Sequence, residues 1–144
     1  DSMGRIMAID FGTRRIGVAL SDTLHLTASG YETISWNGED SRYALDRLRD
    51  IVKDKDVTEI VIGQPRRTDG QTSESERKAQ LFGTDLQSVT GIEPKYRDER
   101  YTTVLASRYL LATGVSGKEK KKVVDQVAAE IILREYLESR RVDK

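Results

Sequence analysis

RIMAIDFGTRRIGVALS, residues 5–21, is the stretch on which the reading of this chain turns. Two short apolar runs, 6–11 and 16–20, flank Gly12-Thr13-Arg14-Arg15. Runs of this length, rich in Ile, Val and Phe and joined by a Gly-containing loop, predict a β-hairpin. Asp10 breaks the pattern. A carboxylate inside an apolar strand costs on the order of several kcal/mol to desolvate unless an opposite charge compensates it. A metal ion would supply that charge; so would Arg14 or Arg15.

Outward from the hairpin, residues 30–35 alternate polar and apolar and predict a third strand, closed by a turn at Trp36-Asn37-Gly38. Across 40–53 the residues Ala44, Leu45, Leu48, Ile51 and Val52 share one face, the spacing of an amphipathic helix. The β-branched run 57–62, ending at Gly63, suits a strand buried on both faces of a parallel sheet. A loop with two adjacent arginines follows, Arg66-Arg67. Ser73 and Glu76 then have the spacing of a capping box for a helix carrying Ala79, Phe82, Leu86 and Val89. Residues 92–97 contain Pro94 and read as an outer strand. A helix is expected over 101–113. Ser116 and Glu119 open a longer one, with Val124, Val127, Ala128, Ile131, Ile132 and Leu133 apolar, up to about residue 140. The order β-β-β-α-β-α-β-α-α predicts an α/β fold: a mixed five-stranded sheet with helices on both faces. The first, fourth and fifth strands are expected to be parallel neighbours, with ligands bound beyond their carboxyl ends.

Composition narrows the function classes. At 144 residues the chain is expected to form one domain, 3–139, with 1–2 an expression scar and 140–144 a frayed tail. Its 24 basic and 24 acidic residues cancel, so any hold on nucleic acid must come from local patches. The absence of cysteine excludes disulfides and thiolate metal sites, and the one histidine, His25, cannot build a His-rich zinc site. No apolar run approaches the roughly 20 residues that span a bilayer, and no signal peptide is visible. A cytoplasmic protein without a membrane partner is expected.

Three acidic positions draw together. Asp10 lies at the end of the first strand, Asp98-Glu99 just past the fifth, and Asp125 shares a helix face with Ala128, Ala129 and Ile132. Singly, each has a structural explanation: Asp98 or Glu99 would bridge Arg97 or Arg100, and Asp125 would pair with Lys121 or Lys122. Together at one sheet edge they would repel one another unless cations bind. Mg²⁺ answers that need with oxygen ligands. Two such ions about 4 Å apart activate water and stabilise the leaving oxygen in phosphodiester hydrolysis. The clusters Arg14-Arg15, Arg66-Arg67 and Lys118 with Lys120-Lys121-Lys122 suit a phosphate backbone, although Lys-rich helix starts are commonly just solvated.

The motifs at 10–19, Asp69-Gly70, Asp98-Glu99-Arg100 with Thr102-Thr103, and 124–133 together resemble the YqgF/RuvX family over essentially the whole chain. That is the bacterial group of Holliday-junction resolvase-like proteins, also described as nucleases maturing the 5′ end of pre-16S ribosomal RNA. The resemblance implies an RNase H-like fold and a metal-dependent nuclease. Its catalytic and metal-holding acids would be Asp10, Glu99 and Asp125, with two Mg²⁺ or Mn²⁺ ions. Arg14, Arg15, Arg66, Arg67 and Arg100 would contact the substrate. Structured RNA is the preferred substrate and branched DNA the alternative; ribosomal assembly intermediates are possible partners. The family's Gly-Leu-Pro-Lys-Asn-Met-Asp-Gly loop is here Gly63-Gln64-Pro65-Arg66-Arg67-Thr68-Asp69-Gly70, with Gln64 for Leu. Two other classes stay open: a non-catalytic nucleic-acid or ribosome-assembly module, separable by binding without cleavage, and an actin-like ATPase half-site at 10–13, separable by tight ATP binding.

Overall fold

The computed structural model describes residues 4–64, 73–98 and 117–142. Along them run β1 (Arg5–Asp10), β2 (Arg15–Ser21), β3 (Ala28–Ser35), α1 (Arg42–Asp54), β4 (Val57–Gln64), α2 (Glu74–Thr90), β5 (Lys95–Asp98) and α3 (Gly117–Val142). The strands form one sheet in the order β3-β2-β1-β4-β5. β2 pairs antiparallel with β1 and β3, whereas β1–β4 and β4–β5 are parallel. This is the mixed five-stranded sheet expected, with the first, fourth and fifth strands as parallel neighbours.

Strand alternation divides the core between two faces. Met7, Ile9, Ile16, Val18, Ile60 and Ile62 pack with Leu48 and Ile51 of α1 and Phe82 and Leu86 of α2. On the other face Ile6, Ala8, Ala19 and Val61 meet Ala129, Ile132, Leu133, Tyr136 and Leu137 of α3. Each buried Ile or Leu contributes about 1.5–3 kcal/mol relative to exposure, so both faces are driven shut. The small residues Ala8 and Ala19 under α3 let that helix approach the sheet closely.

The local signals explain the element ends. The Ser73 hydroxyl accepts from the Glu76 backbone N–H at 3.1 Å, the expected cap of α2. α2 stops at Gly91, whose N–H donates to the Gln87 carbonyl at 2.8 Å. Three strands differ from expectation. β4 runs on through Gly63 to Gln64, expected in the loop, because these residues pair with Asp10 of β1 and Asp98 of β5. β3 begins at Ala28 rather than Gly30, because antiparallel pairing with β2 continues through Leu20↔Ser29 and Ser21↔Ala28. β5 begins at Lys95 rather than Ile92: Pro94 has no N–H for the ladder, and the Ile92 N–H is taken by Thr90 Oγ1 at 3.2 Å. The helix expected over 101–113, the capping Ser116 and the loop 65–72 lie outside the described residues. Among the described residues no helix is long and apolar enough to cross a membrane.

Candidate active site

β1 ends at Asp10, whose side chain by alternation takes the face of Ile6 and Ala8, the one covered by α3. Its register partners are Gly17 on β2 and Gly63 on β4. Neither carries a side chain, so the Asp10 carboxylate stands at the sheet's carboxyl end flanked by bare backbone.

Gly17 has a second role. A Cβ built there would lie 2.0 Å from the Asp125 carbonyl oxygen, so the backbone of α3 rests directly on β2 at that point. The helix is pinned further along by hydrogen bonds to β3: the Gly30 N–H donates to Glu130 Oε1 at 3.0 Å, and the Thr33 hydroxyl to the Lys122 carbonyl at 2.6 Å. Asp125 is thereby delivered to the strand pair that carries Asp10, on the same side of the sheet.

Asp125 is partnered by Arg15, whose Nε donates to Oδ2 at 2.6 Å. The Asp125 side chain is 13% exposed and that of Arg15 33%. Burial pushes the Asp125 carboxyl above its ordinary range, and the hydrogen bond and charge of Arg15 pull it partly back. The partners expected one turn earlier, Lys121 and Lys122, point outward and are exposed. A residue 110 positions away takes their place.

Arg14 is exposed on the β1–β2 turn, and the turn is fastened from behind. Trp36 donates its backbone N–H to the Arg14 carbonyl at 3.0 Å and its indole Nε1–H to the Gly12 carbonyl at 2.7 Å. Gly38, at φ 84°, brings its backbone against the Thr13 carbonyl, with room for no side chain. Phe11 packs edge-on against Trp36 with ring centroids 5.8 Å apart and against Phe82 at 5.2 Å. Sequence reasoning read Trp36-Asn37-Gly38 as a turn and missed this brace. The available signal was the chain's one tryptophan standing directly after a strand.

β5 ends at exposed Asp98, opposite Gln64 in register and at the same sheet end as Asp10. Glu99, Arg66, Arg67 and Arg100 lie outside the described residues. Among the described residues no group of three or more potential metal ligands occurs. Asp10 and Asp125 supply two carboxylates there. The pair fits a hard divalent cation in chemistry: both donors are oxygen, one is flanked by glycines, and the other already engages a cationic group. Gln64, which takes the opposite face with Ile60 and Ile62, is 2% exposed. Among the described residues neither of its amide atoms has a hydrogen-bond partner.

Comparison with known proteins identifies the family and the fold. The model of the family RuvX, described as Holliday junction resolvase, matches residues 4–139. Proteins of Bacillus thuringiensis (strain Al Hakam) and Bacillus anthracis (strain A0248), each named "Putative pre-16S rRNA nuclease", are 38% identical over 136 residues, covering 94% of this chain and 99% of theirs. Among solved structures, T. thermophilus RuvC in complex with Holliday junction substrate superposes with a TM-score of 0.57 at 12% identity, covering 95% of this chain and 96% of that one. A second Thermus thermophilus RuvC structure gives 0.53 at the same identity and coverage. At that identity the likeness establishes the fold alone, which is RNase H-like. With a family model and close relatives both spanning nearly all of its length, the chain belongs to the RuvX family.

Proposed function

We propose that the protein is a metal-dependent endonuclease that hydrolyses phosphodiester bonds, acting in 5′-end processing of pre-16S rRNA. The observation that supports this reading is that Asp10 pairs in register with Gly17, the residue against which the backbone of Asp125 in α3 rests. Two carboxylates carried to one region of the sheet concentrate negative charge, which a bound cation offsets. They suit the holding of divalent metal, with Glu99 as the third acid and Mg²⁺ or Mn²⁺, two ions, as the cofactor. Bound there, the metal supplies activation of water and neutralisation of the charge on the leaving oxygen. The protein's own part is positional. Asp10 and Asp125 would supply donor oxygens and Arg14, on the braced turn, a phosphate contact, with Arg66, Arg67 and Arg100 as further candidates for contacts to the backbone of the substrate.

RNA is favoured by the naming of the relatives at 38% identity, and branched DNA by the family's description as resolvase. A direct test sets labelled precursor 16S rRNA beside a four-way DNA junction, each with Mg²⁺, Mn²⁺ or chelator. Metal-dependent RNA cleavage is expected, falling by a factor on the order of 10³ or more in Asp10→Asn. Cleavage that survives Asp10→Asn removes the mechanism. Cutting of the junction alone moves the activity to DNA, and binding of either without cutting favours an assembly module.

A further inference from the structure

Arg15 opens β2 directly after the braced turn, and its guanidinium meets Asp125 through Nε alone. Among the described residues its two terminal amines make no further hydrogen bond, so the fork that suits a phosphate is left open. Asp125 is mostly enclosed, and its carboxylate carries one negative charge for two cationic claimants. A guanidinium and a divalent cation drawn to the same small carboxylate repel each other at short range. One must give way.

We propose that Arg15 is a positioning residue that stands in for the metal at Asp125, holding the carboxylate in the metal-free protein and swinging to a nucleic-acid phosphate once metal is bound. The inference rests on the metal-dependent nuclease reading. The side chain can make the exchange without moving the fold: its backbone is fixed in β2 beside a turn tied to Trp36, while the side chain is one-third exposed. Release from Asp125 frees the guanidinium to carry its open fork to a phosphate for a bidentate contact. Metal and nucleic acid then strengthen each other's binding, and by linkage each does so by the same factor. A metal-free protein keeps Arg15 on Asp125 and holds substrate weakly.

The test measures Mn²⁺ affinity by calorimetry, and affinity for a fluorescein-labelled RNA hairpin with and without Ca²⁺ as a metal probe. Wild type, Arg15→Gln, Arg15→Lys and Asp125→Asn are compared, with circular dichroism as a check of folding. Arg15→Gln is expected to bind Mn²⁺ about threefold more tightly, a partly exposed ion pair being the competitor it loses. It is also expected to lose most of the Ca²⁺-dependent gain in RNA affinity. Arg15→Lys should stay within about twofold of wild type for Mn²⁺, since it keeps the charge, yet lose the gain for want of a planar fork. Unchanged or weaker Mn²⁺ binding by Arg15→Gln overturns the exchange. Should that variant fail to fold, Arg15→Lys decides: retention of the full Ca²⁺-dependent gain overturns it. Wild-type Mn²⁺ binding that is absent, or insensitive to Asp125→Asn, brings down the nuclease reading and the inference together. Binding that depends on Asp125 but not on Arg15 brings down the inference alone.

Discussion

At Gln64 the chain encloses an amide whose Oε1 and Nε2 both lack partners among the described residues. An unsatisfied buried polar group costs about 1–3 kcal/mol, and leucine fills a similar volume without it. Gln64→Leu is therefore expected to raise stability by about 1–3 kcal/mol, seen as a higher urea midpoint at unchanged slope. A lower midpoint would show that the amide has a partner in solution. Gln64 was visible in the sequence as a departure from the family's Leu, but its enclosure was not, since burial at a strand's end depends on what packs above it. Asp10 was legible for the opposite reason. A carboxylate closing the apolar run 6–9 is anomalous in one dimension, before any fold is known. The bond from Arg15 to Asp125 was beyond reach, because local spacing favours Lys121 and Lys122 and nothing in it reports a partner 110 residues away.

Among the elements, α3 is placed by what β2 lacks. Gly17→Ala would set a methyl 2.0 Å from the Asp125 carbonyl oxygen, a contact relieved only by lifting the helix. A loss of about 1–3 kcal/mol is expected from such overpacking, read as a lowered melting temperature. Cleavage should fall together with it, as Asp125 moves off β2. Full activity and full stability in Gly17→Ala would show that the helix has slack there. The strands and both flanking helix faces were readable from periodicity, which is local. Their ends were less so: β3 is lengthened by pairing with β2, and β5 is shortened by Pro94 and by the Thr90 hydroxyl.

Across the whole molecule, one carboxylate ties β4 and β5 to α3. Glu59 accepts from the Tyr136 hydroxyl, from Arg140 Nη1 at 2.8 Å and from Lys95 Nζ at 3.5 Å. Burial pushes its carboxyl up, but the Tyr136 bond and the two cations outweigh it and hold the group below its ordinary 4.5. A carboxyl lowered on folding stabilises the protein above its unfolded value and loses that contribution as pH falls through the folded one. Glu59→Gln should thus melt below wild type at pH 7, with the gap closing as pH drops below 4.5. Asp125 runs the other way, since a raised carboxyl binds its proton more tightly when folded, and acid relieves its burial. The sheet-wide seat of α3 also has a consequence for how the protein is made. Among the described residues, Ile6, Ala8, Ala19 and Val61 are covered by α3, residues 117–142. During translation, which delivers the N-terminal part first, the nascent chain holds Asp10 but not Asp125. Under the mechanism proposed above, cleavage therefore waits on the emergence of α3, and a chain stalled before residue 117 is expected to bind no metal at this site.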